Sequence, residues 1–332
     1  MLDCWLQQAK HMQRILVTGG AGFLGSHVCD RLISAGHEVI VLDDLSTGAR
    51  ENLADHLTGG NLRLVIGDVA DPIRLDADAI IHLACPASPV HYQRDPCRTL
   101  RTAVGGTTSV LERARELGVP VIIASTSEVY GDPEVHPQPE SYHGNVNTTG
   151  PRACYDEGKR CAEALATAYT SMHGIDARIA RIFNTYGPRM RFDAGRVVSN
   201  FVVQALEGQP LTLFGRGDQT RSFCYVDDLV DGLLRLLGHS CDPGPINLGN
   251  ADEYTVRELA DQVTRLVGAH HGIEMHPLPT DDPIRRKPDI KLAEAVLGWR
   301  PTVPLIDGLS VTITDFRRRL GMYRSSGLEA AS

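Results

Sequence analysis

The chain has 332 residues, of which 42% are hydrophobic and 22% are charged, and its formal net charge is −8. This length can hold one large domain or two closely packed ones, and the composition is typical of an ordered, water-soluble protein. The negative charge argues against nucleic acid as a main partner, and no apolar run is long enough for a transmembrane helix. We therefore expect a cytoplasmic protein with no nucleic-acid partner and no membrane partner.

The N-terminus and the cysteines are consistent with this expectation. Residues 1–13 contain Trp5 and Leu6 but no signal-peptide core, and we interpret them as an N-terminal extension. The eight cysteines include no Cys-x-x-Cys pair. Such cysteines are typical of reduced, mostly buried thiols, so we expect no metal site.

The first informative segment predicts a dinucleotide-binding turn. Residues 14–18 form a short apolar strand, and glycines follow at positions 19, 22 and 25. Glycines at this spacing let a strand turn sharply into a helix while the backbone approaches a diphosphate. The helix is predicted to stop at Gly36, and a second strand, residues 38–42, leads to Asp43. An acid at this point can bind the adenosine ribose and would repel a 2′-phosphate, so NAD is predicted rather than NADP.

The alternation of strands and helices continues along the chain. Further strands are predicted at residues 62–66, 79–83, 120–124 and 177–182, and helices at about 96–117 and 152–173. Six parallel strands alternating with helices indicate an α/β fold built on a doubly wound parallel Rossmann-type sheet. Residues that follow the third and fourth strands, among them Asp68 and Ala84, should lie near the cofactor.

After Asn184 the alternation becomes irregular, which predicts a smaller, discontinuous C-terminal substrate lobe. We assign residues 12–185 and about 224–250 to the NAD-binding domain, with 226–237 and 246–248 returning to the main sheet. The substrate lobe then comprises residues of about 186–223 and 251–322. It is rich in basic side chains that could hold a doubly charged diphosphate, namely Arg189, Arg191, Arg196, Arg221, Arg285, Arg286 and Lys287.

The predicted helix at residues 152–173 carries a candidate catalytic pair. Tyr155 and Lys159 lie four residues apart and would project from the same helix face. A free tyrosine has a pKa of about 10, and a neighbouring lysine together with a cationic nicotinamide would favour the phenolate. Such a phenolate could take a proton from an alcohol during hydride transfer. On the pair alone, an ordinary surface helix is the alternative interpretation.

The fifth predicted strand ends in the hydroxyl residues Ser125, Thr126 and Ser127, followed by Glu128. A hydroxyl at this edge could bind the alcohol oxygen that Tyr155 deprotonates, although such runs also occur in turns. Thr126, Tyr155 and Lys159 resemble the triad of the extended short-chain dehydrogenase/reductase superfamily, and residues 18–25 resemble its cofactor turn.

Longer stretches of the chain resemble the UDP-glucuronate decarboxylase (UDP-xylose synthase) family. The resemblance extends from Ile15 to about Phe316. The stretches that carry it are residues 82–90, 126–128, 150–160, 180–190, 195–201, 219–223 and 286–290.

The resemblance implies roles for individual residues. Tyr155 would be the base, Thr126 would polarise the substrate hydroxyl, and Lys159 would hold the nicotinamide ribose. Ser127, Glu128 and Arg221 complete the implied catalytic set. The implied NAD site consists of Gly19, Gly22, Phe23, Leu24, Gly25, Asp43, Asp44, Ser46, Thr47, Gly48, Asp68, Val69, Leu83, Ala84, Thr102, Tyr155 and Lys159. UDP-glucuronate would bind to Pro86, Asn184, Arg196, Val197, Arg221 and Arg286.

The implied reaction is an NAD-dependent decarboxylation of UDP-glucuronate to UDP-xylose. Oxidation at C4 turns the uronate into a β-keto acid, and loss of carbon dioxide leaves an enolate that Thr126 and Tyr155 can stabilise. Protonation at C5 and re-reduction then give the product. Because the cofactor ends as it began, we expect NAD to stay bound between turnovers.

Three alternatives stay open at this point. A nucleotide-sugar 4-epimerase uses the same oxidation but must rotate the keto intermediate. A 4,6-dehydratase typically has Asp-Glu where this chain has Ser127-Glu128. A non-catalytic NAD-sensing scaffold commonly lacks the tyrosine and lysine that are present here.

Two further features concern the helices around the sheet. The family usually has Lys, Asn and Asn where this chain has Arg101, Ala103 and Ser109, which affects local contacts on the helix after Pro96. Alanines at positions 162, 164, 166 and 168 would suit a four-helix contact between two copies, so we expect a homodimer, although alanines also pack against sheets.

Overall fold

A computed structural model describes residues 12–240, 242–268, 271–278 and 285–325. Of the extension predicted at residues 1–13, residues 1–11 lie outside the described ranges. The strands are Arg14–Thr18 (β1), Glu38–Asp43 (β2), Leu62–Ile66 (β3), Ala79–His82 (β4), Val121–Thr126 (β5), Ala177–Ile182 (β6), Thr185–Tyr186 (β7), Leu211–Phe214 (β8), Thr220–Ser222 (β9), Cys224–Tyr225 (β10), Ile246–Leu248 (β11), Glu253–Thr255 (β12), Ile273–His276 (β13) and Arg285–Arg286 (β14).

The α-helices differ widely in length. They are Phe23–Ser34 (α1), Pro89–Tyr92 (α2), Pro96–Leu100 (α3), Thr107–Leu117 (α4), Ala153–His173 (α5), Val197–Glu207 (α6), Val226–Leu237 (α7), Val256–Val267 (α8), Lys291–Leu297 (α9) and Leu305–Ser325 (α10). Short 3₁₀ segments at Arg50–Leu53 and Ser127–Tyr130 follow β2 and β5.

The main sheet has seven parallel strands in the order β11-β6-β5-β4-β1-β2-β3. Its inner strands are almost continuous apolar runs, because helices cover the sheet on both faces. The predicted doubly wound fold is confirmed, and so is the return of residues 246–248, which add a seventh strand beside β6.

The strand order reverses between β1 and β4. Chains that leave these two strands turn to opposite faces, and this leaves a crevice at the carboxyl ends of the strands. Gly19 follows β1, Asp43 ends β2, and Thr126 ends β5. The topology therefore brings the predicted cofactor and catalytic residues to one edge of the sheet.

The helix predicted at about residues 96–117 is not continuous. A π-helical segment, Arg101–Gly106, separates α3 from α4. The adjacent glycines Gly105 and Gly106 disfavour a regular α-helix, which explains why it is interrupted there. The residues that depart from the family pattern make local contacts: Arg101 pairs with Asp71 at 3.3 Å, and the Ser109 hydroxyl donates to the carbonyl of Ala70.

The C-terminal part shares one hydrophobic core with the sheet. Apolar residues of β1, α1 and α7 form a continuous cluster with α6, α8 and the C-terminal helix, whereas α4 and α5 cover the opposite face with a second cluster. Three small sheets, β7-β10, β8-β13 and β12-β9-β14, lie outside the main sheet. The division of the chain at 12–185 and 224–250 stays a prediction.

The predicted alanine stripe on α5 is divided between two environments. Ala162 and Ala166 are buried against the sheet, and Ala164 and Ala168 are exposed. The six cysteines within the described ranges are free thiols. No helix in that part of the chain is both long enough and apolar enough to cross a bilayer.

Trp299 attaches the C-terminal segment to α7. The side chain is fully buried, and its indole N–H donates to the carbonyl of Asp228 at 2.9 Å. The Asp228 carboxylate in turn accepts hydrogen bonds from the Val303 N–H and the Thr302 hydroxyl. Trp299 therefore contributes both a large buried apolar surface and a hydrogen bond to Asp228, whose carboxylate binds Thr302 and Val303.

We predict that Trp299→Ala lowers the free energy of unfolding by about 3–5 kcal/mol, because it leaves a large cavity and an unpaired carbonyl. The matched control is Val311→Ala on the exposed side of α10, where 49% of the valine is accessible to solvent. Urea unfolding followed by far-ultraviolet circular dichroism measures both. Equal stability of the two variants would contradict the role assigned to Trp299.

Candidate active site

A cavity of about 660 Å³ opens at the carboxyl ends of the sheet strands. Every residue of the implied catalytic, NAD and UDP-glucuronate sites lines this cleft except Gly48 and Asp68. Gly48 lies directly behind Asp43, and the Asp68 carboxylate accepts a hydrogen bond from the Ala70 N–H. The sequence-based prediction therefore places nearly all of its candidates in one cavity.

The glycine turn is shaped for close approach by a diphosphate. Gly19 has a φ of +72°, and a Cβ there would lie 2.7 Å from the Ala84 nitrogen. A Cβ on Gly25 would lie 2.2 Å from the Gly19 carbonyl oxygen. Helix α1 begins after Gly22, which has no side chain to cap the first amides, so these N–H groups can bind an anion. The residues present fit a dinucleotide.

Asp43 links the glycine turn to the loop after β2. Its carboxylate accepts hydrogen bonds from the Ala21 N–H at 2.9 Å and the Leu45 N–H at 2.8 Å. Burial raises the pKa of Asp43, and these two backbone hydrogen bonds oppose the rise. The carboxylate is thus held rigidly at the cleft wall with lone pairs left for ribose hydroxyls.

The three residues of the candidate catalytic triad, Thr126, Tyr155 and Lys159, lie in the same cleft. The Lys159 ammonium donates to the carbonyl of Ala124 at 2.8 Å, and Tyr155 is hydrogen bonded to Thr126. The Tyr155 ring stacks in parallel on Tyr92, with centroids 5.0 Å apart. All three members of the triad are more than nine-tenths buried. Helix α5 therefore presents its tyrosine to the hydroxyl at the end of β5.

In the chain by itself, the surroundings of Tyr155 favour the neutral phenol. Burial raises its pKa above the ordinary value and Cys85 adds to the rise, while Arg196 and the hydrogen bond with Thr126 only oppose it. The chain's own charges therefore do not produce the lowered pKa that the spacing to Lys159 suggested. The physical reason is that transfer of the phenolate out of water costs more free energy than its interactions with these neighbours recover.

Glu128 is the centre of a buried ion cluster. Arg286 binds its carboxylate with both terminal nitrogens, at 2.5 and 2.7 Å, and Arg152 pairs with it at 2.6 Å. Burial raises the pKa of Glu128, but the two guanidinium charges outweigh burial and lower it to about 2. We call Glu128, Arg152 and Arg286 the arginine cluster.

The substrate-lobe arginines divide into two groups. Arg191, Arg196, Arg221 and Arg286 line the cleft. Arg221 and Arg286 are directly paired across β9 and β14, which places both beside the cavity. The expectation that Arg189 helps to hold a diphosphate is wrong, because it ion-pairs with Asp30 and donates to the carbonyl of Asn52. Arg285 and Lys287 also lie outside the lining of the cleft.

The cleft residues that the sequence-based site did not include comprise Arg152 and Tyr92 among others. Arg152 had a detectable signal, since it lies three residues before Tyr155 within a family motif and so shares its helix face. Nothing in the local sequence indicates the stacking of Tyr92 on Tyr155, because 63 positions separate them.

Comparisons with known proteins agree with this geometry. A model described as the NAD dependent epimerase/dehydratase family matches residues 15–249. UDP-glucuronic acid decarboxylase 5 of Arabidopsis thaliana is 53% identical over 324 residues, which cover 96% of this chain and 95% of the relative.

Two solved structures share the fold. A dTDP-glucose 4,6-dehydratase from Streptomyces venezuelae with NAD bound is 32% identical, with a TM-score of 0.86, and the match covers 93% of this chain and 98% of the dehydratase. A UDP-glucose 4-epimerase from Thermotoga maritima is 31% identical, with a TM-score of 0.85. The match covers 92% of this chain and 99% of the epimerase. Since the family model and the identity along the whole length agree, this chain belongs to the NAD dependent epimerase/dehydratase family, in the branch of the UDP-glucuronic acid decarboxylases.

Proposed function

We propose that this protein is an NAD-dependent decarboxylase that converts UDP-glucuronate to UDP-xylose. The observation that carries the proposal is the position of the arginine cluster in the same cleft as Tyr155 and Thr126. Two buried guanidinium groups suit a substrate carboxylate, and the tyrosine suits oxidation of the hydroxyl on C4, the carbon β to that carboxylate. The 53% identity to a relative named as a UDP-glucuronic acid decarboxylase supports the same reaction.

Different residues of the chain would bind different parts of NAD. The turn at Gly19, Gly22 and Gly25 would hold the diphosphate, Asp43 the adenosine ribose, and Lys159 the nicotinamide ribose. When bound, NAD supplies the reversible two-electron oxidation at C4. Lys159 already donates one hydrogen bond to Ala124, which keeps its ammonium at a fixed place for the ribose hydroxyls.

Tyr155 and Thr126 act on the C4 oxygen. The charge of Lys159 together with that of a bound cationic nicotinamide would favour the Tyr155 phenolate, which could then take the proton of the C4 hydroxyl. The Thr126 hydroxyl orients that oxygen. Once C4 is a ketone, the C5–C6 bond breaks, its electron pair moves into the enolate, and carbon dioxide leaves. Hydrogen bonds from Tyr155 and Thr126 stabilise the enolate oxygen. A proton then binds to C5, so the overall reaction consumes one proton.

The 4,6-dehydratase and the 4-epimerase are the competing functions. Elimination of water needs an acid for the leaving hydroxyl, and a serine, Ser127, stands before Glu128. The Glu128 carboxylate, with a pKa of about 2, has no proton to give at neutral pH. Both features favour decarboxylation over dehydration.

Incubation of the purified protein with UDP-glucuronate, followed by mass analysis of the sugar nucleotides, tests the assignment. We expect carbon dioxide and UDP-xylose, and no 4-keto-6-deoxy sugar from UDP-glucose or dTDP-glucose. Loss of water from those hexoses without carbon dioxide from the uronate would favour the dehydratase. Interconversion of UDP-glucose and UDP-galactose would favour the epimerase.

A homodimer and a cytoplasmic location are part of the proposal. Exposed apolar or small side chains on α3 and α5, among them Leu100, Ala164 and Ala168, support a contact between two copies. Light scattering at several concentrations would distinguish a dimer from a monomer.

We predict that Tyr155→Phe keeps the fold and NAD binding but lowers kcat by about three orders of magnitude or more, because it removes the phenol beside Thr126 that takes the C4 proton. The matched control is Tyr169→Phe on the same helix, which removes only a surface hydrogen bond to Glu112. Steady-state release of carbon dioxide measures both. More than about a tenth of the native rate in Tyr155→Phe would mean that another group is the base.

For cofactor choice, Asp43→Asn should reduce the preference for NAD over NADP by about tenfold, because the charge that repels a 2′-phosphate is removed. It should also destabilise the protein by about 1–3 kcal/mol, since one amide oxygen replaces two acceptors for the Ala21 and Leu45 N–H groups. Binding titrations with both cofactors test this, with exposed Asp55→Asn as the control. Equal affinity of the native protein for both would refute it.

Glu128→Gln should release carbon dioxide at least about tenfold more slowly, because the neutral amide cannot hold both guanidinium groups in place. NAD and UDP-glucuronate should still bind, since both cations remain. Loss of the buried anion should cost about 3–5 kcal/mol of stability. Release of label from C6 of the uronate measures the rate, and Glu157→Gln on α5 is the control. A native rate in Glu128→Gln would leave Glu128 with a structural role alone.

A further inference from the structure

Asp156 is a buried carboxyl group that no step of the proposed reaction uses. It follows Tyr155 in the first turn of α5, is 6% exposed, and its backbone N–H donates to the carbonyl of Arg152. Its Oδ1 is buried without a hydrogen-bond partner among the described residues. A buried, unpaired carboxyl oxygen is costly, so its presence calls for an explanation.

The groups around Asp156 belong to the active site. Glu128 faces it from the 3₁₀ segment after β5, Arg286 from β14, Tyr92 from α2, and Arg152 and Glu157 from the start of its own helix. The Tyr92 hydroxyl and the Nε of Arg286 are also buried without a partner within the described ranges. Tyr92 and Arg286 line the cleft. Three buried polar atoms of Asp156, Tyr92 and Arg286 thus lack a hydrogen-bond partner within the described ranges, and two of these residues line the cleft.

The ionisation of Asp156 determines the net charge of the arginine cluster together with its surroundings. Arg152 and Arg286 are both paired with Glu128, so the arginine cluster carries a net charge of +1. An ionised Asp156 would cancel that charge, and a neutral Asp156 would leave it. A buried anion is tolerated only where it is paired. A substrate carboxylate is therefore better accommodated when Asp156 is neutral.

We propose that Asp156 carries a proton in the resting enzyme and so keeps the arginine cluster at a net charge of +1, which selects nucleotide sugars that bear a carboxylate. Asp156 does not line the cleft, so it is a positioning residue that acts through Arg152 and Glu128. The proposal rests on the proposed function, because it assigns the substrate carboxylate to this cluster.

The direction of the pKa shift agrees with this role. Burial, followed by the charge of Glu128, raises the pKa of Asp156 to about 7 against the opposing charges of Arg152 and Arg286. The same two guanidinium groups lower the pKa of Glu128. When two carboxyl groups lie near the same two cations, the group that interacts with them more strongly has the lower pKa. The other group has the higher pKa and keeps its proton.

The dependence of binding on pH follows from that direction. Below a pH of about 7, Asp156 is neutral and the cluster attracts a carboxylate; above it, Asp156 is ionised and the attraction falls. By linkage, binding of the carboxylate must also raise the pKa of Asp156 and draw in a proton. UDP-glucose has no carboxylate, so its binding should respond little to the ionisation of Asp156.

Isothermal titration calorimetry of the NAD-loaded protein tests the proposal. The Tyr155→Phe background prevents turnover, and buffers of different ionisation enthalpy report proton uptake. If neutral Asp156 favours UDP-glucuronate about tenfold, its affinity falls about sevenfold from about pH 6 to about pH 8.5, with uptake of about half a proton at about pH 7.5. UDP-glucose should show less than about a twofold change and no uptake.

Two variants separate Asp156 from other groups. Asp156→Asn is permanently neutral and nearly isosteric, so it should keep the low-pH affinity for UDP-glucuronate across the whole range and lose the proton uptake. Glu157→Gln removes the neighbouring, partly exposed acid on the same turn. It should keep the proton uptake and move the pH profile only slightly to lower pH, because Glu157 is the smallest of the charges that raise the pKa of Asp156.

A sevenfold fall and an uptake of half a proton that persist in Asp156→Asn would overturn the proposal. So would equal proton uptake for UDP-glucuronate and UDP-glucose in the protein with native Asp156, a comparison that needs no folded Asp156 variant. The proposed function fails separately, if native protein releases no carbon dioxide from UDP-glucuronate. The binding experiment contains no turnover, so the two failures are distinguishable.

Discussion

The ion cluster around Glu128 is the constraint on which the two sides of the cleft depend. Glu128 follows the strand that carries Thr126, Arg152 immediately precedes the helix that carries Tyr155 and Lys159, and Arg286 comes from the small sheet of the C-terminal part. One buried carboxylate therefore joins the catalytic strand, the catalytic helix and the substrate side. Because a buried charge is stable only when it is paired, none of the three elements can move away without a large cost.

A second network holds the same strand end from the opposite side. Glu163, one helical turn beyond Lys159, accepts hydrogen bonds from the Ser125 hydroxyl and from two nitrogens of Arg181. Arg181 also donates to the Tyr130 hydroxyl, which continues to Asn247 on the outermost strand. Thr126 thus lies between two charged networks. This arrangement explains how a hydroxyl can keep a fixed position in front of a tyrosine from another element.

The balance between burial and charge decides how each acid in the cleft ionises. Tyr155 has no cation that outweighs its burial, so its pKa is raised and the phenol stays neutral in the chain by itself. Glu128 has two, so its pKa is lowered. Asp156 is adjacent to the same two arginines, but burial and the charge of Glu128 outweigh them, so its pKa is raised. Of these three buried acids, Glu128 is therefore the one whose pKa is lowered, because the two guanidinium groups contact its carboxylate.

Local patterns in the sequence determined much of this protein. The turn at Gly19, Gly22 and Gly25, the acid Asp43, the pair Tyr155 and Lys159 and the parallel sheet were all predictable, because each depends on short spacings and on the periodicity of apolar residues. Only the tertiary structure decided the rest. It paired Glu128 with Arg286, 158 positions away, moved Arg189 out of the cleft to Asp30, and merged the C-terminal part with the core of the sheet. It also buried Tyr155, which raises the pKa of the phenol in the chain by itself. The physical reason is that ion pairing and burial depend on distance in space, which sequence spacing does not specify beyond one or two helical turns.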